Sequence, residues 1–432
     1  MKQILRTQSP ARLISLGFAM LIFIGSILLI LPCSVQKGVM LSYIDSLYTA
    51  TSAVCVTGLI AVDAGDTFTP LGQIFLAMLI QIGGLGVTSV GAGIIIAMGK
   101  KLDLKERNMI CTASNLNSVK GVIRFIKNVL ITTFAIEIVG AVLSFFVFAQ
   151  DYPLLKAFGI GLFHSIAAFN NSGFDVLGSY KNLIPYQEDI LLNMITCALI
   201  FLGGIGFLVI QEMTQHKLSW KKYSMHAKVV LSVSAVLIII GTLLLKLTEN
   251  ITWLGAFFHS VSARTAGFST YPIRTFTNGG LLILIILMFI GASPGSTGGG
   301  IKTSTFLVLI LGIKAAATNR AEKAFRRAIP KNAFCKASVI TLLALTVVVI
   351  GTWLMVVFEP SKSVIDLLFE VTSAFGTVGL STGITTELGV EAKILSIIIM
   401  YIGRLGPLTI ASLWYFTSGE RVRLPEGNIT IG

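Results

Sequence analysis

Long apolar runs dominate the chain, and short polar stretches interrupt them on a repeating plan. Four runs are long enough to span a bilayer, at 13–32, 128–149, 229–247 and 337–358, because a span takes about 20 apolar residues. A shorter amphipathic run follows each, at 43–53, 157–169, 253–263 and 364–375. Then come a polar loop and a second apolar run, at 71–98, 190–210, 280–312 and 393–416. The polar loops share glycine followed by Phe or Leu: "VCVTGLIAV" (54–62), "NNSGFDVL" (170–177), "RTAGFSTY" (264–271) and "GTVGLSTGI" (376–384).

The second runs carry a signature of their own: "IGGLG" (82–86), "LGGIG" (202–206), "IGASPG" (290–295) and "IGRLGP" (402–407). From the loop glycines Gly58, Gly173, Gly267 and Gly379 to the first glycine of that signature the separations are 25, 30, 24 and 24 residues. One such loop alone is an ordinary turn between helices. Two motifs at matched spacing, four times over, mark an internal repeat. The unit is helix, short helix, loop, helix, with expected boundaries 1–107, 108–216, 217–318 and 319–432. The expected fold is an all-α polytopic membrane protein of four membrane–pore–membrane repeats around one pseudo-fourfold pore. It has eight transmembrane helices and four re-entrant pore helices.

Composition agrees with this. Of 432 residues 54% are hydrophobic and only 12% charged, and the mean hydropathy is +0.85, far from ordinary soluble composition. The net charge of +13 would suit nucleic acid, but no aromatic or groove-reading element accompanies the basic residues. Instead 23 of the 33 Lys and Arg cluster at 2–12, 100–127, 217–228, 314–336 and 421–423, between or outside apolar runs. Such clusters mark cytoplasmic loops. All fall on one side if each unit crosses the membrane twice, so both termini are expected in the cytoplasm. The first run has a basic head like a signal peptide, and "LILPCS" faintly resembles a lipoprotein cleavage site. Its length, and Pro32 before Cys33, favour an uncleaved first span. The five cysteines (Cys33, Cys55, Cys111, Cys197, Cys335) have no metal or redox spacing and read as small buried hydrophobes.

Irregular backbone at membrane depth survives only when buried in protein or lining water. Glycine at the turn of a re-entrant loop permits main-chain angles closed to other residues, so a carbonyl can face an axis. Four copies would make a ring of carbonyl oxygens that replaces the hydration shell of an alkali cation. The short helices would aim their negative C-terminal ends at it. No carboxylate is common to the four loops, which argues against a charged-ring site for divalent cations.

In the third unit "FIGASPGSTGGGIKTSTF" (289–306) places five glycines, a proline, several hydroxyls and a lysine inside an apolar run. A polar tract there lines the water path. It lacks the phosphate-loop frame, because Ile301 stands where Lys would follow Gly300. Arg404 lies inside the last apolar run, where a charge is functional by default. Either it forms an electrostatic barrier to cations, or it pairs with a carboxylate or carbonyls for packing. Arg264 reads as a brace toward Glu370 at the equivalent place in the fourth unit, with ion steering as the alternative. His164 and His259 read as packing or hydrogen-bonding residues.

With "TSAVCVTGL", "AAFNNSGF", "ARTAGFST", "SAFGTVGLSTG" and "MYIGRLGPLT", nearly the whole chain resembles the Trk/Ktr/HKT superfamily of potassium transporters, most of all its KtrB-type membrane subunits. The resemblance implies a homodimer with one pore per protomer in the bacterial cell membrane. It implies K+ as the transported ion, bound by backbone carbonyls, with Na+ as a possible activator. It assigns the filter to Val56, Thr57, Gly58, Asn171, Ser172, Gly173, Thr265, Ala266, Gly267, Thr377, Val378 and Gly379. Only the last triplet reads as a full potassium-channel signature, so one good coordination layer at the glycines is expected. Gly58 stands where sodium-permeable plant relatives carry serine, which favours potassium. The gate would comprise Arg404, facing the pore, and an intramembrane loop that blocks it, with Gly291, Ser293, Gly295, Thr297, Gly298, Gly299, Gly300 and Lys302. A separate cytosolic nucleotide-binding KtrA-like ring would regulate the pore through the basic loops at 100–107, 217–228 and 314–331. Anionic lipids would meet the same loops. The tail "RVRLPEGNITIG" resembles KtrB tails and would join the dimer contact. A sodium-coupled secondary transporter is the alternative. A membrane enzyme would need a polar constellation on facing helices, and the sequence offers none.

Overall fold

The computed structural model describes residues 10–98, 103–113, 120–217, 219–330 and 332–412. Parts of the basic clusters at 2–12, 100–127 and 314–336, and the whole tail from 413 onward, lie outside these residues. The helices fall into four similar sets. The first contains α1 (Pro10–Ile30), α2 (Tyr43–Cys55), α3 (Pro70–Leu85) and α4 (Val87–Ala97), followed by a connecting helix, α5 (Leu104–Ala113). The second contains α6 (Val122–Phe148), α7 (Leu154–Phe169), α8 (Ile190–Gly204) and α9 (Phe207–His216). The third contains α10 (Met225–Thr248), α11 (Trp253–Ser262), α12 (Asn278–Phe289) and α13 (Thr303–Thr318). After a small antiparallel hairpin of β1 (Lys323–Ala324) and β2 (Arg327–Ala328), the fourth contains α14 (Ala333–Phe358), α15 (Val364–Gly376), α16 (Val390–Leu405) and α17 (Pro407–Ser412).

Helices α1, α6, α10 and α14 are long and apolar enough to cross a membrane. They stand outermost. Phe23, Phe134, Phe146, Ile239 and Trp353 on their outer faces are all exposed, and only 22% of the apolar stretch of α14 is buried within the chain. Lipid is the solvent that such faces need. The short helices α2, α7, α11 and α15 lie inside, and the last three residues of each are buried. Their starts follow local chemistry. Ser42 accepts the Asp45 amide at 3.1 Å and Thr252 accepts that of Gly255 at 3.0 Å, the usual N-cap geometry.

The second apolar runs differ from the expectation of straight spans. They break in every unit, not only in the third. α3 meets α4 at 98° and α8 meets α9 at 104°, with a glycine at positive φ at each turn (Gly86, +85°; Gly206, +92°). Gly406 (+87°) separates α16 from α17 in the same way. The third unit differs in the length of the interruption, residues 290–302 between α12 and α13. Three of the five cysteines are buried as expected, but Cys33 and Cys335 are exposed at helix ends.

One buried polar cluster escaped the sequence reading. Glu137, midway along α6 and 3% exposed, accepts from Gln81 of α3 and from Asn170 after α7, both at 3.1 Å. Asn170 also donates to Gln81 at 2.7 Å. The triad ties the first unit to the second directly behind the second loop. Glu137→Leu would strand the Gln81 amide in an apolar surround, so we expect a stability loss of about 2–4 kcal/mol. Glu137→Gln, which keeps an acceptor, should lose far less. Thermal unfolding in detergent checks this, and equal midpoints for Glu137→Leu and the wild type would refute it.

Candidate pore and intramembrane plug

Each of the four loops leaves its short helix with the same alternation of backbone angles. The first residue is left-handed in each: Val56 (φ 57°), Asn171 (58°), Thr265 (90°) and Thr377 (49°). The second residue is not, and the glycine is again positive: Gly58 (89°), Gly173 (69°), Gly267 (78°) and Gly379 (95°). The middle amides fold back onto helix carbonyls: Thr57 onto Ser52 (2.7 Å), Ser172 onto Ala167 (2.9 Å), Ala266 onto Ser262 (2.8 Å) and Val378 onto Ser373 (2.9 Å). Thus main-chain donors point away from the loops' inner face, and the carbonyls are left for it. In the first and fourth units a serine side chain holds the glycine N–H, Ser52 to Gly58 and Ser373 to Gly379, both at 3.0 Å. The Thr-Ser-Ala shared by both stretches was the signal for this pair.

The four glycines form a closed ring. A Cβ on Gly58 would lie 3.1 Å from the Cα of Gly173; one on Gly173 would lie 3.0 Å from Gly267. One on Gly267 would lie 3.0 Å from Gly379, and one on Gly379 would lie 2.8 Å from Gly58. The order around the ring is the order along the chain, and the fourth unit closes on the first. Below it, the Asn171 and Thr265 side chains hydrogen-bond at 3.2 Å. On the glycine side a cavity of about 390 Å³ opens against Gly58, Gly267 and Gly379.

The glycines of the second signature serve the ring from behind. Cβ atoms on Gly83, Gly203 and Gly403 would lie 2.8–2.9 Å from the carbonyl carbons of Val54, Phe169 and Phe375, each two residues before its loop. Only a bare backbone lets the second helix pack this closely on the pore-helix end. Gly291 does not repeat the contact; it packs on the Gly299–Gly300 backbone within the same 290–302 interruption.

Residues 290–302 form a polar segment lodged under the ring. Ser293, Thr297 and Gly295 bind it to the break between α8 and α9: Ser293 N–H to Gly204 O at 3.0 Å, Thr297 N–H to Gly203 O at 3.3 Å, and Phe207 N–H to Gly295 O at 3.0 Å. The Gly299 N–H donates to Thr377 Oγ1 at 2.9 Å, so the segment touches the fourth loop itself. A Cβ on Gly298 would lie 2.8 Å from the Thr265 Cβ, and one on Gly300 would lie 3.5 Å from the Gly376 Cα. Lys302 donates to Gly298 O (2.7 Å) and Gly299 O (3.3 Å), and its ammonium replaces the amides that the bent backbone lacks. Arg404 spans the remaining gap. Its guanidinium donates to the Thr297 carbonyl of the segment, and to Gly83 O and Gly84 O (3.2 Å) at the α3 break. A second cavity, about 450 Å³, lies on this side, lined by Arg404, Lys302, Gly298 and Gly84 among others.

Two further residues were placed by sequence. Arg264 and Glu370 are buried, yet no ion pair joins them among the described residues: Glu370 bonds Thr385, and Arg264 Nε has no partner. Arg264 lies three residues before Gly267 and Glu370 nine before Gly379, so the two stand at different places in their units. His164 bonds Thr196 (2.9 Å), and His259 bonds Gly255 O (2.9 Å) and Ser269 (3.2 Å), as expected for packing residues.

Four re-entrant hairpins around one axis, with helices that turn aside at matched glycines, are the architecture of a membrane transport protein of the membrane–pore–membrane class. The chain belongs to the TrkH cation transport protein family, whose pattern it matches over residues 14–418. It is 36% identical over 437 residues to the Ktr system potassium uptake protein B of Bacillus subtilis, covering 98% of this chain and 97% of that one. It is 37% identical over 451 residues to the potassium/sodium uptake protein NtpJ of Enterococcus hirae, covering 100% and 99%. In fold it is similar to the crystal structure of the potassium transporter TrkH from Vibrio parahaemolyticus, with a TM-score of 0.75 at 19% identity over 95% of this chain and 86% of that one.

Proposed function

We propose that this chain is the potassium-conducting subunit of a Ktr-type uptake system. The observation that carries the reading is the closed ring of Gly58, Gly173, Gly267 and Gly379, each at positive φ. The carbonyls of the filter triplets would replace the water of a dehydrated K+ as it passes. Main-chain oxygens at fixed separation fit an alkali cation and provide no strong site for a divalent one. K+ would move between the two cavities on either side of the ring. Residues 291–302 and Arg404 would form the gate. In the arrangement seen here the segment is hydrogen-bonded to Gly203, Gly204 and Thr377 and held by a guanidinium, which would close the path below the filter. Opening would require the segment to exchange these partners for water.

The chain would work as a homodimer in a bacterial cell membrane, with the termini and basic loops in the cytoplasm. A KtrA-like nucleotide-binding ring and anionic lipids would meet those loops, and Na+ would act as an activator. The relative named for potassium and sodium uptake, and the half-helices at every second run, favour one rival: a sodium-coupled transporter. Flux in proteoliposomes separates the two. We expect K+ to run down its own gradient with no sodium gradient present, with K+ favoured over Na+ by about tenfold or more. Uptake that stops when the sodium gradient is abolished, at constant sodium concentration, would overturn the channel-like reading.

A further inference from the structure

Two cavities adjoin at the end of the third unit, where basic loops gather, and conduction uses neither. The first, about 430 Å³, lies between the 217–228 stretch and the β1–β2 hairpin. Its charged and titratable lining consists of Lys221, Lys222, Lys228, Arg327, His216, Glu212 and Tyr223, whose hydroxyl donates to the Lys217 carbonyl. Glu212 already accepts the Ser224 amide at 2.8 Å, and Lys228 donates to the Lys221 carbonyl at 3.3 Å. The ion pairs among the described residues are Lys362–Glu387 and Lys393–Asp45, so these four cations have no carboxylate bound to them. The second cavity, about 360 Å³, is mostly apolar, with Ser232 and Lys323 also in its lining. Val233, Val236 and Leu237 of α10 form one wall, and Phe306, Leu307 and Ile310 of α13 the other.

Phe325, at the tip of the hairpin, lines both cavities. It is 43% exposed, and its ring packs edge-on against Trp220 at 6.3 Å. Trp220 in turn meets Tyr223 at 5.9 Å. Trp220 is exposed and Tyr223 is buried beneath it; an exposed Trp beside basic side chains marks the membrane–water boundary. The groove therefore runs along the lipid-facing side of α10 and α13, with an unneutralised cationic pocket at its boundary end.

We infer that the two cavities together form one binding site for an anionic phospholipid, the phosphate seated among Lys221, Lys222, Lys228 and Arg327 and an acyl chain lying between α10 and α13. A free anion would use the first cavity only, and a neutral lipid the second only. The paired chemistry fits a molecule with both parts, and basic side chains at the boundary attract anionic headgroups. The site is not a remote ornament: α13 begins at Thr303, which holds the plug segment through Ser293 (3.0 Å) and Ala292 O (3.3 Å).

Native mass spectrometry of the purified full-length chain, titrated with dioleoyl phosphatidylglycerol or dioleoyl phosphatidylcholine, tests this. We expect one phosphatidylglycerol retained about tenfold better than phosphatidylcholine. The triple variant K221Q/K222Q/R327Q should lose that preference, and K221R/K222R should keep it. Val236→Trp, which fills the groove and leaves every cation in place, should also release the lipid. Three results would overturn the proposal. The preference could survive both the triple variant and Val236→Trp. The triple variant could release the lipid while Val236→Trp does not and inorganic phosphate competes, which would mark a free-anion site. Or Val236→Trp alone could release it, which would mark an unselective lipid groove. The inference rests on the proposed meeting of anionic lipids with the basic loops, and because the readout is binding, its failure is separate from failure of the pore reading.

Discussion

Gly379→Ser is expected to abolish rescue of a potassium-uptake-deficient bacterium at limiting potassium, with the protein still reaching the membrane. Two effects act together at this position. Gly379 sits at φ +95°, where a side chain costs about 1–2 kcal/mol. Its Cβ would also lie 2.8 Å from the Cα of Gly58 and 2.9 Å from its carbonyl carbon, and those are backbone atoms with no rotamer to retreat into. Overpacking of this kind costs typically about 1–3 kcal/mol more. The strain falls where the fourth unit closes on the first, so the ring must widen or tilt there. A carbonyl ring that no longer matches dehydrated K+ loses discrimination, and about 1.4 kcal/mol of lost difference is a factor of ten. Proteoliposome flux should therefore show a K+ over Na+ ratio reduced by about tenfold or more. Full rescue with an unchanged ion ratio would sink the assignment of the ring as the filter.

Arg404→Ala should act in the opposite direction and raise K+ flux while leaving ion preference intact. The guanidinium links the 290–302 segment, at the Thr297 carbonyl, to the α3 break, at Gly83 and Gly84. Its Cζ also lies 5.9 Å from the Phe18 ring centroid. Hydrogen bonds from a charged donor contribute about 1.5–3 kcal/mol each. If opening breaks one of them, the variant gains about one to two decades in open population. It also removes a fixed positive charge from the path proposed for the cation. Arg404→Lys should fall between, because a single ammonium cannot reach carbonyls on both sides at once. A flux equal to that of the wild type would take Arg404 out of the gate and leave it a packing residue.

Much of this molecule is legible without coordinates, for a local reason. Helix, re-entrant helix, loop and second helix are written as apolar length, amphipathic period and loop glycine, and each depends on residues near it in the chain. Even the angles of Thr377 and Gly379 follow from a three-residue pattern. The breaks in the second helices were half legible. Gly86, Gly206 and Gly406 stand in the sequence, but glycine is common in membrane helices, so only the surrounding packing distinguishes a turn from a tolerated residue. Other features had no local signal at all. Glu137 is one acid in an apolar run until Gln81 and Asn170, from two other helices, meet it. Arg264 and Glu370 carry opposite charges in neighbouring units, and no ion pair joins them among the described residues.

Sequence alone therefore settled the repeated helix pattern and the chemical character of the loops, because these rest on interactions between near neighbours and on the solvent each segment requires. The closing of Gly379 onto Gly58 across 321 residues waited for the fold. So did the seating of 290–302 beneath the ring and the reach of Arg404 to two different units. Those contacts join surfaces whose mutual distance is set by how four hairpins pack around an axis, and no pattern within one hairpin encodes that distance.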